Sequence, residues 1–173
     1  MQVMSENIFP LDTSGNPALC SGPEHQACIE QALAAATELC NRLGLRLTPV
    51  RKRVLELVWQ SHRPLGAYEI LAQLSEGDAK PAAPPTVYRA LDFLLEHGLV
   101  HRLASLNAFI GCDRPHQAHQ GHFLICRLCR VAHELPHDDI DRAVEQAAAA
   151  LGFAVEQQVV EVSGICAPCR MQA

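Results

Sequence analysis

A chain of 173 residues with 49% hydrophobic and 19% charged residues can bury a core, which excludes a tail or a linker. It has no run of about 18 apolar residues to span a bilayer, and "MQVMSENIFPLDTSG" lacks the basic start and apolar core of a secretory signal, so a cytoplasmic protein is expected. The net charge of −5 conceals opposed segments: residues 1–41 carry five acids and no cation, 42–104 nine cations against six acids, and 105–173 five against eight. Four of the cations fall between Arg46 and Arg53, where they could meet phosphates.

In chain order, residues 1–25 contain Gly, Pro and Ser without periodicity and read as a flexible extension. Ile29, Leu33, Ala36, Cys40 and Leu43 then recur at helical spacing and stop before Gly44. In "LTPVRKRVLELVWQS" Thr48 can cap a second helix with Pro49 at its first position, and Val50, Val54, Leu57 and Val58 form one apolar face. "AYEILAQL" predicts a third helix ending at Gly77. "PPTVYRALDFLLEHG" predicts a fourth that buries Val87, Leu91, Leu94 and Leu95 and stops at Gly98.

"LVHRLASLNAFIGC", two short apolar runs around Ser105–Asn107, reads as a β-hairpin. Three helices followed by a hairpin give the order of a winged helix-turn-helix. The fourth helix would then present Thr86, Tyr88, Arg89 and Asp92 opposite its core stripe, with Arg89 in the first turn and able to pair bidentately with guanine. A solvated polar face on an ordinary amphipathic helix fits the same periodicity.

After a polar linker at 113–120, "HFLIC" and "VAHEL" read as strands flanking the knuckle "CRLC". A helix from about Asp138 to Leu151 turns Ile140, Ala143, Val144, Ala147 and Leu151 toward a core, and "FAVEQQVVEV" reads as a last strand before "CAPC". A small sheet with one helix leaves a face to cover, and dimerisation is the economical solution. The fold class expected is therefore α+β: a winged-helix DNA-binding domain over residues 26–112, a hinge at 113–120 and an α/β dimerisation and metal-binding domain over 121–173.

In a reducing compartment eight cysteines read as metal ligands or redox thiols rather than disulfides. Cys126-x-x-Cys129 and Cys166-x-x-Cys169 supply four thiolates, a set typical of closed structural zinc, while two redox dithiols are the alternative. Such a site has no open coordination position and contributes folding energy on the order of 10 kcal/mol. His101, Cys112, His116, His119, His122, His133, Glu134 and His137 remain as candidates for another role. His101 and Cys112 lie on the two arms of the hairpin, His119 just before the next strand and Glu134 on the strand after the knuckle. Ligands drawn from both sides of the linker would let one zinc lock the two halves together, as a sensor requires. Cys40 fits a helix core, whereas Cys20 and Cys28 receive no role.

"LTPVRKRVLELV", "AYEIL", "PPTVYRALDFLLEHGLVHRLASLNAFIGC" and "HFLICRLCRVAHE" together resemble the ferric-uptake-regulator family, over about residues 27–170. The resemblance implies a homodimer that binds double-stranded operator DNA and is no enzyme, with structural zinc on the two C-x-x-C pairs. It puts metal sensing on His101, Cys112, His119 and Glu134, with His116 replacing His119 if the linker gap falls differently, and it makes phosphate contacts by Tyr68, Arg51 and Arg53 plausible. A thiolate with imidazoles and one carboxylate suits tetrahedral zinc better than octahedral iron or manganese. The expectation is a zinc-responsive repressor with two Zn2+ per protomer, controlling zinc-uptake genes, with no membrane or small organic substrate as partner. An iron or peroxide sensor of the same family is the nearest alternative. A zinc hydrolase or a redox or zinc-buffering protein would leave residues 48–112 unexplained.

Overall fold

The computed structural model describes residues 23–61, 63–76, 82–115, 121–135 and 138–172, and the chain divides into two compact units, residues 1–117 and 118–173. In the first unit α1 (Pro23–Arg42), α2 (Pro49–Trp59), α3 (Ala67–Ser75) and α4 (Pro84–Glu96) precede the hairpin β2 (Val100–Leu103) and β3 (Ala108–Gly111). Helix α1 opens inside the stretch expected to be a flexible extension; residues 1–22, with Cys20, lie outside the described residues.

Helix α2 starts as its sequence predicts, with the Arg51 backbone N–H donating to the Thr48 hydroxyl at 3.4 Å and Pro49 at the first position. Helix α3 starts on a carboxylate instead: the Gly66 N–H donates to Glu69 at 2.7 Å. Helix α4 stops at Gly98, which adopts φ +63°, while the Leu99 N–H reaches the Leu94 carbonyl (2.8 Å) and the Gly98 N–H that of Leu95 (3.1 Å). This left-handed closure satisfies carbonyls the helix end leaves over and turns the chain straight into β2.

One core joins these elements. It takes Cys28, Ile29, Ala36, Leu39 and Cys40 from α1, Val54, Leu55, Leu57, Val58 and Trp59 from α2, Ile70 from α3, and Val87, Ala90, Leu91 and Leu94 from α4. Two expected members are exposed: Leu43 lies beyond the last turn of α1 and Val50 in the first turn of α2, and Leu39, Leu55 and Trp59 complete the faces instead. The sheet has a strand the sequence reading missed, β1 (Leu65–Gly66), which pairs antiparallel with β3 and gives the order β1-β3-β2. Two residues show no period to read.

The second unit holds β4 (His122–Cys126), β5 (Ala132–Glu134), α5 (Asp138–Ala150), β6 (Val160–Gly164) and α6 (Ala167–Met171). Strand β4 is central, antiparallel to β5 and parallel to β6. The last strand is shorter than expected because Val160 pairs with His122, the first residue of β4, so the chain before Val160 runs past the end of its partner. Within this unit α5 does not bury the face assigned to it. Ala143, Val144 and Ala147 are exposed, Ile140 is half-buried and Leu151 is 86% exposed, while Leu124, Phe153, Val159 and Val162 are also open. No helix among the described residues is long and apolar enough to cross a membrane.

Gly111 has no room for a side chain: a Cβ there would overlap the Trp59 indole. Gly111→Ala is expected to destabilise the first unit by about 1–3 kcal/mol, the range for overpacking. Denaturant unfolding followed by the fluorescence of Trp59, the single tryptophan, measures it; an unchanged midpoint would show that β3 does not press on α2.

Candidate metal centres and nucleic-acid interface

The parallel pairing of β4 and β6 sets Cys126, the last residue of β4, opposite Gly164. From there the chain turns in two places. The knuckle after β4 folds back by an Arg130 N–H to Cys126 carbonyl bond (2.8 Å), with Arg130 at φ +60°, and carries Cys129. Beyond β6, Cys166 caps α6 and Cys169 follows on its first turn. The four sulfurs lie within 4.8 Å of one another, and those of Cys129 and Cys166 are 3.6 Å apart. A zinc ion bonded to four thiolates at about 2.3 Å requires sulfur separations of about 3.8 Å, so the donor set and its size both fit that ion.

The four thiols are electrostatically unlike. Backbone N–H groups of Cys166 and Cys129 hold the Cys126 thiol down at about 6, and the Cys166 N–H lies 3.4 Å from its sulfur. Hydrogen bonding to the Cys166 sulfur, with burial, pushes Cys169 up to about 12. For Cys129 the Val131 N–H favours the thiolate, but burial and the neighbouring sulfurs outweigh it and raise the pKa. Cys126 is therefore a ready thiolate, whereas Cys129 and Cys169 surrender their protons to a cation.

Of the other expected ligands, His101 lies on β2 opposite Ile110 of β3. Cys112 follows β3, is buried, and donates its backbone N–H to the Leu99 carbonyl at 3.1 Å. The hairpin brings a ring nitrogen of His101 within 4.8 Å of the Cys112 sulfur. Glu134 is half-buried on β5 opposite Phe123. His116, His119 and His137 lie outside the described residues. His133 pairs opposite Leu124 and burial lowers its pKa, favouring the neutral ring.

His122 is fully buried and occupied otherwise. Its Nε2–H donates to the Asp141 carboxylate at 2.7 Å, and the Gln158 side-chain amide donates to the same oxygen. This knot ties β4 to α5 and to the approach to β6. The sequence showed Asp141 only as one acid near a helix start, and nothing local signalled its pairing with a residue nineteen positions earlier.

In α4, Thr86, Tyr88 and Arg89 are exposed on the side away from Val87, Leu91 and Leu94. Because α4 begins at Pro84, Arg89 lies in its second turn rather than the first. Tyr68, 75% exposed, stands in the first turn of α3. Arg53 is exposed and paired with Glu56 at 2.7 Å. Arg51 is half-buried, with its guanidinium carbon 3.6 Å from the centroid of the Phe93 ring.

A profile of the ferric uptake regulator family matches residues 42–163. The chain is 38% identical over 143 residues to the zinc uptake regulation protein of Escherichia coli K12, covering 81% of this chain and 82% of that protein. It is 30% identical over 142 residues to the peroxide operon regulator of Bacillus subtilis 168, covering 79% and 92%. Among solved structures, a zinc uptake regulator complexed with zinc and DNA superposes with TM-score 0.78 at 37% identity, covering 83% of this chain and 96% of that one. Holo XcZur superposes with TM-score 0.73 at 44% identity, covering 82% and 98%.

Zinc uptake by the metal-free protein is expected to release at least two protons per ion near neutral pH, one each from Cys129 and Cys169, whose thiols are raised. Apparent affinity in a chelator competition should then fall at least about a hundredfold for each pH unit lowered between 8 and 7. A pH-independent affinity would contradict the four-thiolate assignment.

Proposed function

Because the chain belongs to the ferric uptake regulator family, we propose a division of labour between two metal sites as the basis of its activity. The protein is a zinc-responsive transcriptional repressor that binds DNA as a dimer, built from an N-terminal winged helix and a C-terminal dimerisation domain. It is not an enzyme. The further points are our reading: two zinc ions per protomer, a cytoplasmic location, palindromic operators at zinc-uptake genes, and the role of each residue.

The staple is Cys126, Cys129, Cys166 and Cys169, and the observation that carries the reading is their mutual approach within 4.8 Å. With every position taken by a thiolate, this site fastens the C-terminal turn to the knuckle and offers nothing for a reaction. The sensor is His101, Cys112, His119 and Glu134. The pairing of His101 with the buried Cys112 on the hairpin supports one half of it; the family resemblance supports the rest. A zinc ion held by these four residues would link them. His101 and Cys112 would hold the hairpin to that link, and Glu134 would hold β5.

DNA contact falls to Arg89 and Tyr88 with Thr86 on α4, and to Tyr68 on α3. Arg89 is the base reader, since its guanidinium can match the paired acceptors of guanine. The others suit phosphate or thymine methyl groups. Filling the sensor shifts operator affinity by its preference for the binding-competent state, about 1–3 kcal/mol for typical coupling.

Cys112→Ser is expected to lower zinc-dependent operator binding at least tenfold while the dimer stays folded. Cys126→Ser is expected to unfold the second unit. Circular dichroism, sedimentation and operator binding measured on both variants test the division, and equal loss of fold in the two would sink it.

A further inference from the structure

Arg51 was expected to touch phosphate, yet its side chain is engaged inside the first unit. The residue sits in the first turn of α2, where a cation opposes the helix dipole, so local helix stability does not account for it. Its Nη1–H donates to the Arg46 carbonyl at 2.6 Å, and its guanidinium lies over Phe93 with the central carbon 3.6 Å from the ring centroid. Phe93 belongs to α4 and is buried. The ring of His97 meets Phe93 edge-on, with centroids 4.4 Å apart and planes at 67°. One guanidinium therefore joins the loop before α2, the first turn of α2 and the reading helix α4.

The position of Phe93 gives this clamp a consequence for recognition. At about 100° per residue, Phe93 stands about 40° around α4 from Arg89, at the border between the buried stripe and the exposed side. The stripe of Val87, Leu91 and Leu94 fixes how deep α4 sits in the core. A contact at the border resists rotation of the helix about its own axis, and rotation is the motion that carries Arg89 away from a base edge. A planar guanidinium suits such a contact because it stacks on an aromatic face and directs its N–H groups in-plane, which an ammonium cannot reproduce.

We propose that Arg51 is a positioning residue for DNA reading, holding the azimuth of α4 through Phe93, and that it is not a phosphate contact. The proposal rests on the reading of Arg89 as the base contact. A phosphate contact and a positioning contact leave different marks. Losing a phosphate contact weakens operator and random DNA alike and reduces the salt dependence of binding by about one counterion. Losing a positioning contact weakens operator selectively and leaves the salt dependence unchanged.

The test uses the full-length zinc-loaded dimer, a duplex selected by the wild-type protein from a random pool, and a scrambled duplex of the same composition. Arg51→Gln and Arg51→Lys are both expected to cut discrimination between the duplexes about tenfold with an unchanged salt slope. Arg51→Gln in a Phe93→Leu background is expected to cut it little further. A salt slope lowered by about two for Gln, one for each protomer, with Lys restoring wild-type binding, would overturn the proposal, as would unchanged discrimination in both single variants. Arg89→Ala is measured alongside: if it keeps discrimination, the base-reading assignment fails, whatever Arg51 does.

Discussion

The poverty of the core in residues 118–173 is the constraint on which the rest depends. Among its described residues the buried apolar side chains are Phe123, Ile125, Cys126, Val131 and Ala132, too few to hold a three-stranded sheet and a helix on their own. Three devices compensate. Four sulfurs gather where β4 and β6 end, a buried His122–Asp141 pair ties β4 to α5, and Leu124, Val144, Leu151, Phe153 and Val162 stay open as apolar surface that dimerisation can draw on. The proposed staple and dimerisation are thus answers to small size before they are features of regulation.

The first unit has the opposite economy. Its helices share one continuous core, α4 ends in a closed left-handed turn, and Gly111 lets β3 lie directly on Trp59. A rigid platform of this kind fixes the exposed side chains of α4, which is what reading a base edge requires. The hairpin is also where His101 and Cys112 approach each other, so the proposed sensor takes one ligand from β2 and a second from the residue just past β3. The proposed staple serves the unit with the small core, and the proposed sensor draws His101 and Cys112 from the unit with the large one. That contrast would let the two proposed sites have separate effects.

Much of this was legible in the residues. The Thr48-Pro49 start, the Gly98 stop and the 3.6-residue stripes gave α2 and α4 their bounds, because caps and periodicity are local signals. The two C-x-x-C pairs announced the gathering of four sulfurs, because a two-residue gap brings both sulfurs of a pair to one side of a tight turn. What escaped was non-local or too short. Strand β1 is two residues long and exists only because β3 offers it an edge. The apolar character of Phe153 and Val155 suggested a strand, but β4 is too short to pair with them. Arg51 read as a surface cation because its partner Phe93 lies in another helix, and α5 read as core-facing because periodicity marks an apolar side without saying which molecule covers it.

Zinc is proposed to set DNA affinity through a site distinct from the four-cysteine cluster. The direct measurement is operator binding by fluorescence anisotropy against buffered free zinc, iron(II) and manganese(II), with bound metal quantified at each point. The account predicts that one zinc per protomer remains throughout, and that filling a second raises operator affinity about 5- to 150-fold at free concentrations where iron and manganese have no effect. Operator binding independent of the second zinc, or matched by iron or manganese, would contradict it.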